Sequence, residues 1–201
     1  MFSGISGDSH QVGLTLFTDS HVVRGRIVTR HRRISDILNQ AEHEFVVITD
    51  AVMDEFGARD QPIRSEYAQI NLGAVLFAVA DSEVEPVPEL RTPKVAEVAL
   101  VSIPPFRVTG RIHLLPGRRL DDALGELLGR FFPVTNATYW SDRVGEARTT
   151  ALMVAVNHSR AQILAPHHEI DPWAGLDRST AHGTVTRVAD LDPLDQGGDP
   201  V

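Results

Sequence analysis

The sequence predicts a mainly β protein: a tandem of two small, barrel-like domains of about five strands each, with one short helix apiece. Three observations predict it. VVRGRIVTRHRRISDILNQ, Val22 to Gln40, returns as RVTGRIHLLPGRRLDDALGE, Arg107 to Glu126. The echo keeps its order: Val23, Gly25, Arg26 and Ile27 match Val108, Gly110, Arg111 and Ile112 at an offset of 85. From Arg33 the offset is 86, with Asp36, Leu38, Phe45, Thr49, Ala51 and Asn71 matching Asp122, Leu124, Phe131, Thr135, Ala137 and Asn157. One inserted residue near Pro116 and Gly117 explains the change. The third observation is a period of two in both copies, which is the spacing of a strand with two unlike faces.

The elements follow in order. An opening strand is predicted at Val12 to Phe17 and again at Val98 to Ile103. In VVRGRIV, Arg24 and Arg26 alternate with Val23, Gly25 and Ile27; in RVTGRIHL, Arg107, Thr109, Arg111 and His113 alternate with Val108, Gly110 and Ile112. A glycine in mid-strand, at the same place twice, marks a bulge, a bend or a close backbone approach. Ile34, Ile37 and Leu38, then Leu120, Ala123, Leu124, Leu127 and Leu128, recur at helical spacing and predict a short amphipathic helix. Asp36 and Asp122 sit near its first turn, where the helix dipole favours negative charge. The apolar, β-branched and aromatic runs EFVVITDAVM and RFFPVTNATYW read as buried strands. SEYAQINLGAVLFAVA and TTALMVAVNHSRAQILA each read as two strands turning at Asn71 or Asn157.

These elements divide the chain into an N-terminal arm (1–11), a first barrel repeat (12–80), an acidic proline-rich linker (81–97), a second barrel repeat (98–165) and an acidic tail (166–201). The arm and tail are expected to be flexible, and the linker an extended strap. Closure into a barrel removes the exposed edges of so small a sheet. Units this small have marginal cores, so packing two copies together, or homo-oligomerising, supplies extra burial.

Composition narrows the class. The absence of cysteine excludes disulfides, thiolate nucleophiles, cysteine-ligated zinc and iron–sulfur clusters. No apolar run reaches about 18 residues and the N-terminus lacks the form of a signal peptide, so a cytoplasmic protein without a membrane span is expected. The net charge is -8, of which the tail from Ala165 carries -5 and the segment from Asp81 to Glu97 carries -3, leaving the repeats near neutral. A general nucleic-acid binder shows a positive excess instead.

The order V-x-G-x-[IL], R-[IL]-x-D-x-L-N, F-[IV]-x-[VI]-[ST]-[DN]-A and then V/I-N resembles a family of small bacterial β-domains of unknown function with an Sm-like or SH3-like barrel pattern. The first copy carries it as VRGRI, RISDILN, FVVITDA and IN, the second as VTGRI, RLDDALG, FFPVTNA and VN. The second copy departs at Gly125, where the first has Asn39, and at Asn136, where the first has Asp50. The resemblance implies duplication and a barrel fold, and accessory or interaction domains.

Several side-chain groups are candidates for function. Arg24, Arg26, Arg30, Arg32 and Arg33, with His31, make a fork-rich surface able to grip phosphate or an acidic partner; the alternative is a solvated face paired with carboxylates. Trp173, in the acidic tail segment IDPWAGL, has the form of a short docking motif; the alternative is a tryptophan that folds back onto its own barrel. His158, His167, His168 and Glu169 are the best metal group, yet no ligand spacing such as HExxH appears, so no metal or cofactor is expected. Gly7-Asp8-Ser9-His10 superficially matches an esterase serine motif but lacks the preceding strand and the late base. No constellation reaches an enzyme signature. The expected function is therefore a non-catalytic protein-interaction or scaffolding protein, such as an accessory subunit, which binds its partner through barrel faces and tail. The alternatives are an Sm-like nucleic-acid binder using the arginine loop, and a small-ligand or enzymatic role in the cleft between repeats.

Overall fold

The computed structural model describes residues 10–29, 33–39, 44–58, 61–81, 93–122 and 129–167. Arg30, Arg32, the acidic linker's centre and the tail with Trp173 lie outside them. The described residues form ten strands: β1 His10–Thr18, β2 His21–Thr29, β3 Phe45–Glu55, β4 Ile63–Asn71 and β5 Val75–Ala80, then β6 Val95–Ile103, β7 Phe106–Leu114, β8 Phe131–Ser141, β9 Glu146–Asn157 and β10 Ile163–Pro166. A short helix, α1, spans Ile34–Asn39, and a 3-10 turn spans His158–Arg160. Residues 120–122 are helical as well.

All strand pairs are antiparallel, and the strands make one sheet in the order β10-β6-β7-β8-β9-β5-β1-β2-β3-β4. The expected pair of closed barrels is overturned. Closing the first five strands would require β4 to pair with β5, but the outer side of β5 is occupied by β9, through Phe77↔Val156, Ala78↔Ala155 and Val79↔Val154. Strand β4 is left at one end of an open sheet and β10 at the other.

Pairing within the two halves is nonetheless the same. Thr15 faces Arg24 as Leu100 faces Thr109, Phe45 faces Asn71 as Phe131 faces Asn157, and Leu14 faces Ala80 as Ala99 faces Pro166. The offsets of 85 and 86 seen in the sequence recur in the hydrogen-bonded register.

The mid-strand glycines mark a bulge in both halves. The β2–β3 register slips between Arg24 and Arg26, and the β7–β8 register between Thr109 and Arg111. Two residues of the partner strand face one glycine, and the extra residue takes a left-handed conformation: Asp50 at φ 51° and Asn136 at φ 47°. Asp and Asn tolerate that region better than most side chains, which accounts for [DN] at this place in both copies. The glycine itself is required by crowding. A Cβ on Gly25 would lie 2.3 Å from Ile48 Cγ2 and 2.6 Å from the Thr49 carbonyl oxygen; on Gly110 it would lie 2.6 Å from Val134 Cγ1 and 2.9 Å from the Thr135 carbonyl oxygen.

The core is shared between the halves. One buried cluster centres on β6 to β9 and takes in Phe17, Val22, Leu76 and Phe77 from the first half. Phe17 stacks on Phe77 at 4.4 Å, and both meet Phe106 and Tyr139 edge-on or tilted. The other cluster gathers Leu14, Leu16, Val23, Ile48 and Val75 beneath Ile34 and Leu38 of α1, and takes in Phe131 and Ala155 from the second half. The shared core is a single compact unit with its sheet and helix. Among the described residues no helix is long and apolar enough to cross a membrane.

Candidate interaction surfaces

The β2 arginines are tied down within their own half. Arg24 forms an ion pair with Asp54, and Arg26 approaches Asp50 at 3.5 Å. Both pairs are exposed, where an ion pair contributes about 0–1 kcal/mol and is screened by salt. Arg33 does not join them. It precedes α1, where its carbonyl oxygen accepts from the amides of Asp36 and Ile37 at 2.9 and 3.0 Å. Its charge acts, together with Lys94 and Arg111, on His113 of β7. Of the expected arginine surface, Arg24 and Arg26 are thus paired on β2, while Arg30, His31 and Arg32 lie outside the described residues.

His113 shares a 2.7 Å hydrogen bond with Thr135 Oγ1 through Nε2. Burial first, and then the charges of Lys94, Arg33 and Arg111, hold its imidazole below the ordinary histidine range. His158 Nδ1 lies 3.2 Å from the Arg130 carbonyl oxygen, and the His167 amide donates to the Val98 carbonyl oxygen. These bonds tie both residues to backbone. Among the described residues, no group of three or more His, Asp or Glu could hold a metal ion; His168, Glu169 and the Gly7 to Ser9 segment lie outside them.

An open pocket of about 230 Å³ sits beside the β6–β7 turn, bounded by Pro104, Pro105, Arg107, Trp140 and Arg143. It falls below the roughly 300–1,000 Å³ of ordinary ligand sites. Arg107 is engaged by Asp142 at 3.7 Å, and Arg148 lies over the Trp140 ring at 4.2 Å.

The most distinctive surface is the β4 end of the sheet. Pairing places Thr49 beside Tyr67, Val47 beside Gln69 and Phe45 beside Asn71 on one face. Phe45, Val47 and Tyr67 are 47%, 50% and 62% exposed, and nearby Val28 is also exposed. The run EFVVITDAVM therefore departs from the fully buried strand expected of it: Val46 and Ile48 face the core, while Phe45 and Val47 face out. The unbroken apolar run Phe45-Val46-Val47-Ile48, in a strand with only one face toward the core, is the signal that could have exposed this site from sequence. Its second-half counterpart is different, since Phe131 is 1% exposed.

That burial comes from the join between halves. α1 packs over β8, β5 and β9. Asn39 at its end mimics a strand partner: Nδ2 donates to the Phe131 carbonyl oxygen and Oδ1 accepts from the Phe131 amide, both at 2.7 Å. Asn157, fully buried, donates across the join to the carbonyl oxygens of Leu72 (3.2 Å) and Val75 (2.8 Å). Arg160 adds an ion pair to Asp19.

No family profile, curated protein or solved structure matches this chain. The resemblance to an Sm-like or SH3-like barrel family is therefore corrected on two counts: the sheet is open, and no family match supports the motif pattern.

Proposed function

We propose that the chain is a non-catalytic protein-interaction protein, acting as an accessory or scaffolding component of a larger assembly. The observation that carries this reading is the exposed apolar face of β3 and β4, formed by Phe45, Val47 and Tyr67. Exposed apolar side chains of this kind, with an aromatic residue at either end and Val47 between them, favour burial against a partner. The ion pairs of Arg24 and Arg26 weigh against a phosphate-gripping role for the β2 face. The test is affinity purification of the tagged full-length protein from its native host, with nuclease treatment, beside a Val47→Asp/Tyr67→Asp variant. Stoichiometric protein that survives nuclease and is lost with the variant supports the reading. Recovery of nucleic acid with no protein, or of nothing, overturns it.

A further inference from the structure

We propose that the β4 edge of one copy of this chain adds to the β10 edge of another, repeating head to tail the join that β9 makes with β5 inside the molecule. The inference deepens the interaction reading and rests on it; it specifies the partner as a second copy.

The internal join supplies the template. Strand β4 corresponds in register to β9, and β10 to β5. The pairs Phe77↔Val156, Ala78↔Ala155 and Val79↔Val154 translate into Ile163 opposite Ile70, Leu164 opposite Gln69 and Ala165 opposite Ala68 of a second copy. None of these six residues is charged. Natural edge strands normally carry a charge, a bulge or a proline that blocks pairing. On β4 the charges Arg64 and Glu66 precede the paired stretch, and on β10 the proline, Pro166, follows it.

One exposed apolar residue at each end is one that the template would cover. Ile163 is 56% exposed, whereas its counterpart Phe77 is fully buried. Phe45 is exposed, whereas its counterpart Phe131 is buried. Asn71 already makes the local part of the Asn157 arrangement: its Oδ1 accepts from the Gly73 amide at 2.7 Å, as Asn157 Oδ1 accepts from Ser159. The contact between copies lacks some of the internal features. Gly125 stands at the sequence position of Asn39, and Ser102 and Ile163 replace Phe17 and Phe77. Association is accordingly weaker than the internal join and depends on concentration. Because the two edges differ, the contact is heterologous, so it propagates into a ring or a filament.

The test uses full-length protein in light scattering and native mass spectrometry across a concentration series. Wild type is expected at multiples of 22.1 kDa. Phe45→Asp damages only the β4 end and Ile163→Asp only the β10 end, and each is expected to weaken self-association by at least about tenfold. Mixing the two variants restores one good contact per pair and yields a 1:1 dimer, an outcome that a β4-to-β4 contact cannot produce. As an arm independent of variant folding, Gln69→Cys and Leu164→Cys chains, otherwise free of cysteine, are mixed with a short thiol crosslinker; a covalent heterodimer is expected. A wild type that stays monomeric throughout, or mixtures that neither pair nor crosslink, overturns the inference. If the host purification still recovers a foreign protein lost with Val47→Asp/Tyr67→Asp, the interaction reading survives without self-assembly; if it recovers none, both fail.

Discussion

Phe131 and Phe45 occupy the same place in the two halves, each facing an asparagine across an antiparallel pair, and their surroundings are opposite. Phe131 lies at the join between halves, under α1, with its backbone held by Asn39. Phe45 lies at the open end of the sheet with nearly half its surface in water. The local sequence is the same kind of strand in both, so neighbourhood decides whether the ring is core or surface. The largest expected effect follows. Phe131→Ala should cost about 3–5 kcal/mol in urea unfolding, as for large-to-small changes in packed cores, while Phe45→Ala costs about 1 kcal/mol or less at a concentration where the chain is monomeric. Equal losses would mean that the β4 end is covered in solution.

The two turn asparagines sharpen the same contrast. Asn157→Ala leaves the carbonyl oxygens of Leu72 and Val75 without their buried donor, and a loss of about 1–3 kcal/mol is expected. Asn71→Ala removes one exposed bond to Gly73 and should cost about 1 kcal/mol or less. A chemical-denaturation series on both variants measures the difference, and its absence would show that Asn157 is not what ties the halves together.

Much of this architecture was legible in the sequence, because duplication and period-two alternation act locally. Gly25 and Gly110 marked a bulge that the register slips of β2–β3 and β7–β8 confirm, and Ile34 and Leu38 marked the buried side of α1. Closure was not legible. The edge that takes β5 is decided by a contact between Phe77 and Val156, far apart in sequence, and nothing within one repeat encodes it. The same reason hid the candidate surface. Phe45 and Phe131 read alike until the join separates them. Of the arginine run, Arg24 and Arg26 follow the paired-face alternative: their partners Asp54 and Asp50 sit on β3, brought close by strand pairing rather than by chain order, so the sequence could offer the pairing but not name the partners.

Where the two halves should agree is at the bulge, which lies inside each half and away from the join. Gly25→Ala and Gly110→Ala both force a Cβ against a neighbouring side chain and a carbonyl oxygen, so each is expected to destabilise by about 1–3 kcal/mol. Thermal unfolding of the pair checks it. Strongly unequal losses would show that one half is free to relax its bulge and that the repeats differ in more than their neighbours.

The smallest effect concerns His113, which stands where the first half has the exposed Val28. Burial and the nearby charges of Lys94, Arg33 and Arg111 hold its pKa below the ordinary value of 6.5 in the folded chain. The unfolded chain therefore takes up this proton first as pH falls. The contribution of neutral His113 is fully present above about pH 6.5 and is lost as pH drops through that value toward the folded pKa. The ring is only partly buried, so the slope is shallow, and salt that screens Arg33, Lys94 and Arg111 should flatten it further. His113→Val gives the second half the residue of the first. Subtracting its stability-versus-pH curve from that of wild type cancels the other histidines and should leave a difference that declines below about pH 6.5. A flat difference would mean that the imidazole does not feel the cations around it, and an increase toward acid pH would mean that a carboxylate rather than those cations governs its charge.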